Sequence, residues 1–140
     1  MLNLIPYICV MGKMIKIEAT KRLAYNKLTG KTQPYIVDID SLAAIKEEEN
    51  GLLCSLVSPH YERITCEVPA KELLETTLKD HKSRFYPFNM VKDGVVLDRK
   101  YYVNIDCIKM IATSEIKGCI EIYIGRMAII IVEGSIEDLV

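Results

Sequence analysis

One segment constrains the fold more than any other, because the chain carries it twice. It is Tyr101-Tyr102-Val103-Asn104-Ile105-Asp106-Cys107-Ile108-Lys109-Met110-Ile111. Tyr35-Ile36-Val37-Asp38-Ile39-Asp40-Ser41-Leu42-Ala43-Ala44-Ile45 stands 66 positions upstream (35 against 101). Tyr, Val, Ile, Asp and Ile recur at matching places, and Asn104/Asp38, Cys107/Ser41 and Ile108/Leu42 are near matches. Each copy reads as a strand with period-two alternation, an Asp that closes a turn, and a second apolar stretch. A repeated hydrophobic pattern specifies a repeated register. The expected fold is therefore mainly β (α+β), a tandem duplication of an antiparallel β-unit with each copy closed by a short helix. A pseudo-twofold should relate the copies, and Val37, Ile39, Ile45, Val103, Ile105 and Ile111 should be buried. The expected organisation is an N-terminal apolar arm (1–13), a first unit (14–84) with a helix over 70–78, and a second unit (85–140) with a short C-terminal helix.

The remaining pattern fits this plan. Met14–Glu18 alternates, and Thr20–Lys31 reads as a long, basic hairpin loop. Glu47-Glu48-Glu49-Asn50-Gly51 reads as a solvated turn. Leu52–Val57 and Tyr61–Val68 form a hairpin, and Pro69 suits the start of a helix that buries Leu73, Leu74 and Leu78. In the second unit Lys92-Asp93-Gly94 marks a tight hairpin turn. Met127–Val132 is nearly all apolar, which predicts a central strand covered on both faces, with an aggregation-prone edge as the alternative.

Composition narrows the class. Half of the 140 residues are hydrophobic, enough for a core that needs neither metal nor disulfide. A net charge of −1 gives no global attraction to nucleic acid or an anionic membrane. Its distribution is uneven: residues 1–35 carry six basic residues against one acidic, and 36–77 carry nine acidic against three basic. Five cysteines (Cys9, Cys54, Cys66, Cys107, Cys119) are odd in number and lack a C-x-x-C. That pattern suits free thiols in a reducing compartment, so the expected location is cytoplasmic or within a particle assembled inside the cell. Leu2–Met11 is apolar but too short to span a bilayer, and it lacks the basic start of a secretory signal.

Val103-Asn104-Ile105-Asp106 with Ile108, Ile111, Ile120-Glu121-Ile122, Gly125-Arg126 and Ile131-Val132-Glu133 resembles the small FlbD-like proteins. There a strand ending in V-N-x-D-x-I precedes a hairpin with Gly in its turn and a short helix. Glu133-Gly134-Ser135 departs slightly from that ending. Lys71–Leu78, Phe85 and Arg99-Lys100-Tyr101-Tyr102-Val103-Asn104 also resemble the LytTR domain, a β-rich DNA-binding module. That resemblance implies a β-rich fold and DNA contacts from loop side chains. Here Glu47-Glu48-Glu49-Asn50 and Glu133-Gly134 stand where basic or amide residues are expected, and carboxylates repel phosphates.

No nucleophile motif, phosphate loop or metal-ligand spacing is present in the sequence, and His60 and His81 lie 21 positions apart in polar surroundings. The sequence thus points to no catalytic residue, metal, cofactor, membrane or small-molecule substrate. It points to a non-enzymatic interaction or assembly protein, of the kind found in a phage particle, that binds protein partners or itself. Leu2, Leu4, Ile5, Tyr7, Ile8 and Val10 are its expected partner-binding arm. The alternative is a LytTR-like DNA-binding regulatory module using Lys21, Arg22, Lys27, Lys31, Arg99 and Lys100. An uncharacterised enzyme or ligand binder with a site between the two units is the third reading.

Overall fold

The computed structural model describes residues 14–21 and 32–140. The first half holds β1 (Met14–Lys21), β2 (Gln33–Asp38), β3 (Ala44–Glu47), β4 (Cys54–Val57), β5 (Ile64–Cys66) and helix α1 (Ala70–Glu75). The second holds β6 (Phe85–Lys92), β7 (Val95–Asn104), β8 (Met110–Thr113), β9 (Cys119–Tyr123) and β10 (Ile129–Glu133). All ten strands form one antiparallel sheet in the order β2-β1-β5-β4-β3-β7-β6-β10-β9-β8. Renumbered from its own first strand, each half reads 2-1-5-4-3.

The registers repeat as well. Ala44 faces Val57 as Met110 faces Tyr123, and Cys54 faces Cys66 as Ile120 faces Val132. Every one of these residues moves on by 66. Met14 faces Asp38 as Phe85 faces Asn104, a shift of 71 for the first partner, so the first hairpin is five residues longer. Its counterpart turns on Asp93 and Gly94, which have φ of 53° and 77°. A two-residue hairpin turn of that hand requires positive φ at both central positions. The halves join through unlike edges, β3 against β7, whereas a twofold would bring like edges together. The pseudo-twofold expected from sequence is therefore replaced by a head-to-tail join.

Each half is curled. In the first, β2 and β3 are opposite edges of five strands, about 19 Å apart if flat. The 3-10 turn Ile39–Ser41 and two further residues link them, a path of roughly 16 Å at most. The strands must coil, and the coil encloses a core. Ile17, Val37, Ile39, Ile45, Leu56 and Ile64 from all five strands and the turn pack together there, with Leu73, Leu74 and Leu78. The second core gathers Phe88, Val103, Ile120, Ile122, Ile130 and Val132.

Several expectations need correcting. The helix stops at Glu75, where the Thr76 hydroxyl donates to the Glu72 carbonyl at 2.7 Å; two successive β-branched threonines disfavour another turn. Leu78 is buried but lies beyond the helix. The closing element of the second half is a 3-10 turn, Ile136–Leu139. Val37, Ile39, Ile45 and Val103 are buried, but Ile105 is exposed and Ile111 half-buried. β10 lies inside the sheet between β6 and β9, yet its burial alternates, with Ile130 and Val132 inward and Ile129 outward. One face is open because no second layer among the described residues covers it.

Candidate functional site

The join between the halves shows what an edge of this sheet needs from a neighbour. Ala44, Ile45 and Lys46 on β3 face Val103, Tyr102 and Tyr101 on β7. Strand alternation sends Ile45 and Tyr102 into the first core and Ala44 and Val103 into the second. Asn104, fully buried, locks the end of this ladder. Its backbone N–H donates to the Ala43 carbonyl at 2.8 Å. Its Nδ2 donates to the Ile39 and Leu42 carbonyls at 3.2 and 3.0 Å. Its Oδ1 accepts from the Asp106 N–H at 3.1 Å, which caps the second 3-10 turn, Ile105–Cys107. Asp38 caps the first turn in the same way, accepting from the Asp40 N–H at 3.0 Å.

Three further contacts cross the join. The Cys107 thiol donates to the Asp40 carbonyl at 3.1 Å, and burial pushes its pKa up. Arg84 spans the two equivalent aspartates, with Nη1 2.8 Å from Asp40 and Nε 3.5 Å from Asp106. Glu47 accepts from the Lys100 N–H at 3.1 Å. Burial, together with Glu47, raises the Tyr102 pKa.

The two ends of the sheet, β2 and β8, are the same two kinds of edge without neighbours among the described residues. Ile36 on β2 occupies the place of Tyr102 and is 47% exposed against 7%. Met110 on β8 occupies the place of Ala44 and is 52% exposed against 0%. Beside β2 lies a mostly apolar cleft of about 500 Å³, lined by Met14, Tyr35, Ile36, Val37, Tyr61 and Ile64 among others. Burial pushes the Tyr61 phenol up to about 12, with the Ser58 hydroxyl opposing.

A second cleft, about 820 Å³, gathers Lys46, Arg63, Lys92 and Arg99 with Glu48 and Glu49. Glu48 is not part of a solvated turn, as its acidic run suggests. It is buried, accepts from the Ser55 hydroxyl, and Ser55 in turn lies 3.1 Å from the Thr65 hydroxyl. Of the three glutamates only Glu49 is exposed.

Among the described residues, those singled out for DNA are not brought together. Lys21 lines the cleft beside β2, Arg99 the mixed-charge cleft, and Lys100 a third depression, where its Nζ donates to Asn89 Oδ1. Arg22, Lys27 and Lys31 lie outside the described residues, as do Leu2, Leu4, Ile5, Tyr7, Ile8 and Val10 of the arm. Sequence reasoning did not single out Ile36 and Met110. The signal was present at the places where the repeat fails to match, Ile36 against Tyr102 and Met110 against Ala44.

Among the described residues no three His, Cys, Asp or Glu side chains gather as a metal site, and no helix is long and apolar enough to cross a membrane. No protein-family model, curated protein or solved structure matches the chain.

Proposed function

We propose that this protein works by binding protein, as a non-enzymatic component of a larger assembly, a phage particle being one such setting. The observation that carries the reading is the exposure of Ile36 and Met110 at both ends of the sheet. Natural sheets blunt their open edges with charge, proline or cover, and exposed apolar groups in line with unpaired backbone mark a partner's place. The repeated strand order and registers support an origin by tandem duplication of one β-unit, whose second copy resembles the small FlbD-like proteins. The arm from Leu2 to Val10 is a second proposed contact, since burying each large apolar side chain is worth roughly 1.5–3 kcal/mol.

The mixed-charge cleft favours a second reading, a LytTR-like DNA contact through Arg63, Arg99, Lys46 and Lys92. Glu48 and Glu49 in the same cleft oppose it, because affinity for duplex comes chiefly from cations releasing counterions. Mass in solution, measured with and without duplex DNA at physiological salt, separates the two. A defined complex with itself or a protein partner, indifferent to DNA, is expected. A monomer that shifts only on DNA would replace the first reading with the second.

A further inference from the structure

We infer that the two open edges are complementary to each other, so that β8 of one copy pairs antiparallel with β2 of the next. This inference rests on the assembly reading and names its partner as a second copy of the chain. The join already present in the chain is the template. β3 and β8 are equivalent strands, as are β7 and the stretch that contains β2. Carrying the β3–β7 register across by 66 places Met110 opposite Val37, Ile111 opposite Ile36 and Ala112 opposite Tyr35. The two exposed apolar residues, Ile36 and Met110, then both fall within the new ladder. The apolar cleft beside β2 becomes the seat for the incoming strand's side chains.

The polar groups at the edges agree with this in one place. Lys100 N–H needs the Glu47 carboxylate at the internal join. Its counterpart is Pro34, which has no N–H, and the counterpart of Glu47 is the uncharged Thr113. Ser41 stands in the place of Cys107, but its hydroxyl already donates to the Asp38 carbonyl at 3.0 Å, so this place adds no donor to the join. One place disagrees. Asp38 stands where Asn104 donates to two carbonyls, and a carboxylate only accepts. The intermolecular join should therefore be weaker than the internal one, which suits copies that associate reversibly. Because the edges that meet are unlike, the contact is heterologous and repeats into a ring or a filament.

The Asn104 N–H bond to Ala43 fixes the alternation of the ladder. It makes Lys46–Tyr101, and hence Ala112–Tyr35, a non-hydrogen-bonded pair, where Cα atoms approach to about 4.5 Å. Tyr35→Cys and Ala112→Cys are therefore made as separate proteins, each with Cys9→Ser, then mixed and oxidised. A disulfide between residues 35 and 112 is expected in the mixture and not in either protein alone. Like-with-like cross-links, or none in a mixture whose mass shows it assembled, would overturn the edge pairing and leave the assembly reading intact. Asp38→Asn gives an independent gain. It keeps the turn cap, as Asn104 does, and restores the missing donor. Association is expected to tighten about tenfold, whereas unchanged or weaker association would count against the register. A chain that stays monomeric at all concentrations, with and without Asp38→Asn, refutes the inference outright.

Discussion

Asn104 ties the two halves together, because one side chain caps a turn and holds two carbonyls of the other half. Asn104→Ala should destabilise the protein by about 2–3 kcal/mol, since it strips partners from buried carbonyls and removes a cap. Asn104→Asp keeps the cap but sets a carboxylate against those carbonyls, and it should cost more. Urea unfolding of the two variants checks the order, and an aspartate variant as stable as the native chain would contradict the assigned geometry. The turn-capping half of this role is legible in sequence, since Asn and Asp favour such turns. The joining half is not, because it depends on β3 and β7 becoming neighbours. Glu48 was illegible for a similar reason. Its burial follows from Ser55 and Thr65 on two later strands, which no local pattern announces.

Tyr61 gives a pH dependence at the same scale. Burial raises its folded pKa to about 12 from an unfolded value near 10, so the folded state holds its proton longer. Its contribution is fully present below about pH 10 and is lost as pH rises toward 12. Tyr101 and Tyr102 shift the same way, chiefly through burial. Unfolding midpoints measured between pH 9 and 12 should fall, and Tyr61→Phe should flatten part of that fall. An unaltered slope in that variant would remove Tyr61 from the explanation.

Among elements, the loop between β9 and β10 is held close to the loop after β4. A Cβ on Gly125 would lie 2.8 Å from the Pro59 Cβ, and a proline ring cannot swing aside. Gly125→Ala should therefore lower stability by about 1–3 kcal/mol through overpacking. A melting temperature within a degree of the native value would mean the loops are free to part. Strand positions were largely legible, because alternation over Met14–Glu18 and the copied segment reports a half-buried sheet directly. The open face of β10 was not. An apolar run such as Ile129-Ile130-Ile131-Val132 does not say whether a second layer exists to cover it.

For the whole molecule, the strand order is the same in both halves, and the registers of β3 with β4 and of β4 with β5 correspond to those of β8 with β9 and of β9 with β10. The sequence could not show how the halves would join, since it says which residues are alike and not which edges meet. With β3 and β7 each feeding alternate side chains into both cores, the halves should unfold as one. Far-ultraviolet dichroism and tyrosine fluorescence should give coincident transitions, and two separated steps would mean the join contributes little.

Amide hydrogen exchange read residue by residue, at low and at high protein concentration, addresses the edges most directly. The alternation set by the Asn104–Ala43 bond points the N–H groups of Ile36 and Ile111 outward from β2 and β8. These two amides are expected to exchange rapidly in dilute solution and to slow together as concentration rises, in step with the increase in mass. Exchange at Ile36 and Ile111 that ignores concentration while the mass still rises would show that the copies meet elsewhere, and that the edges are not the contact.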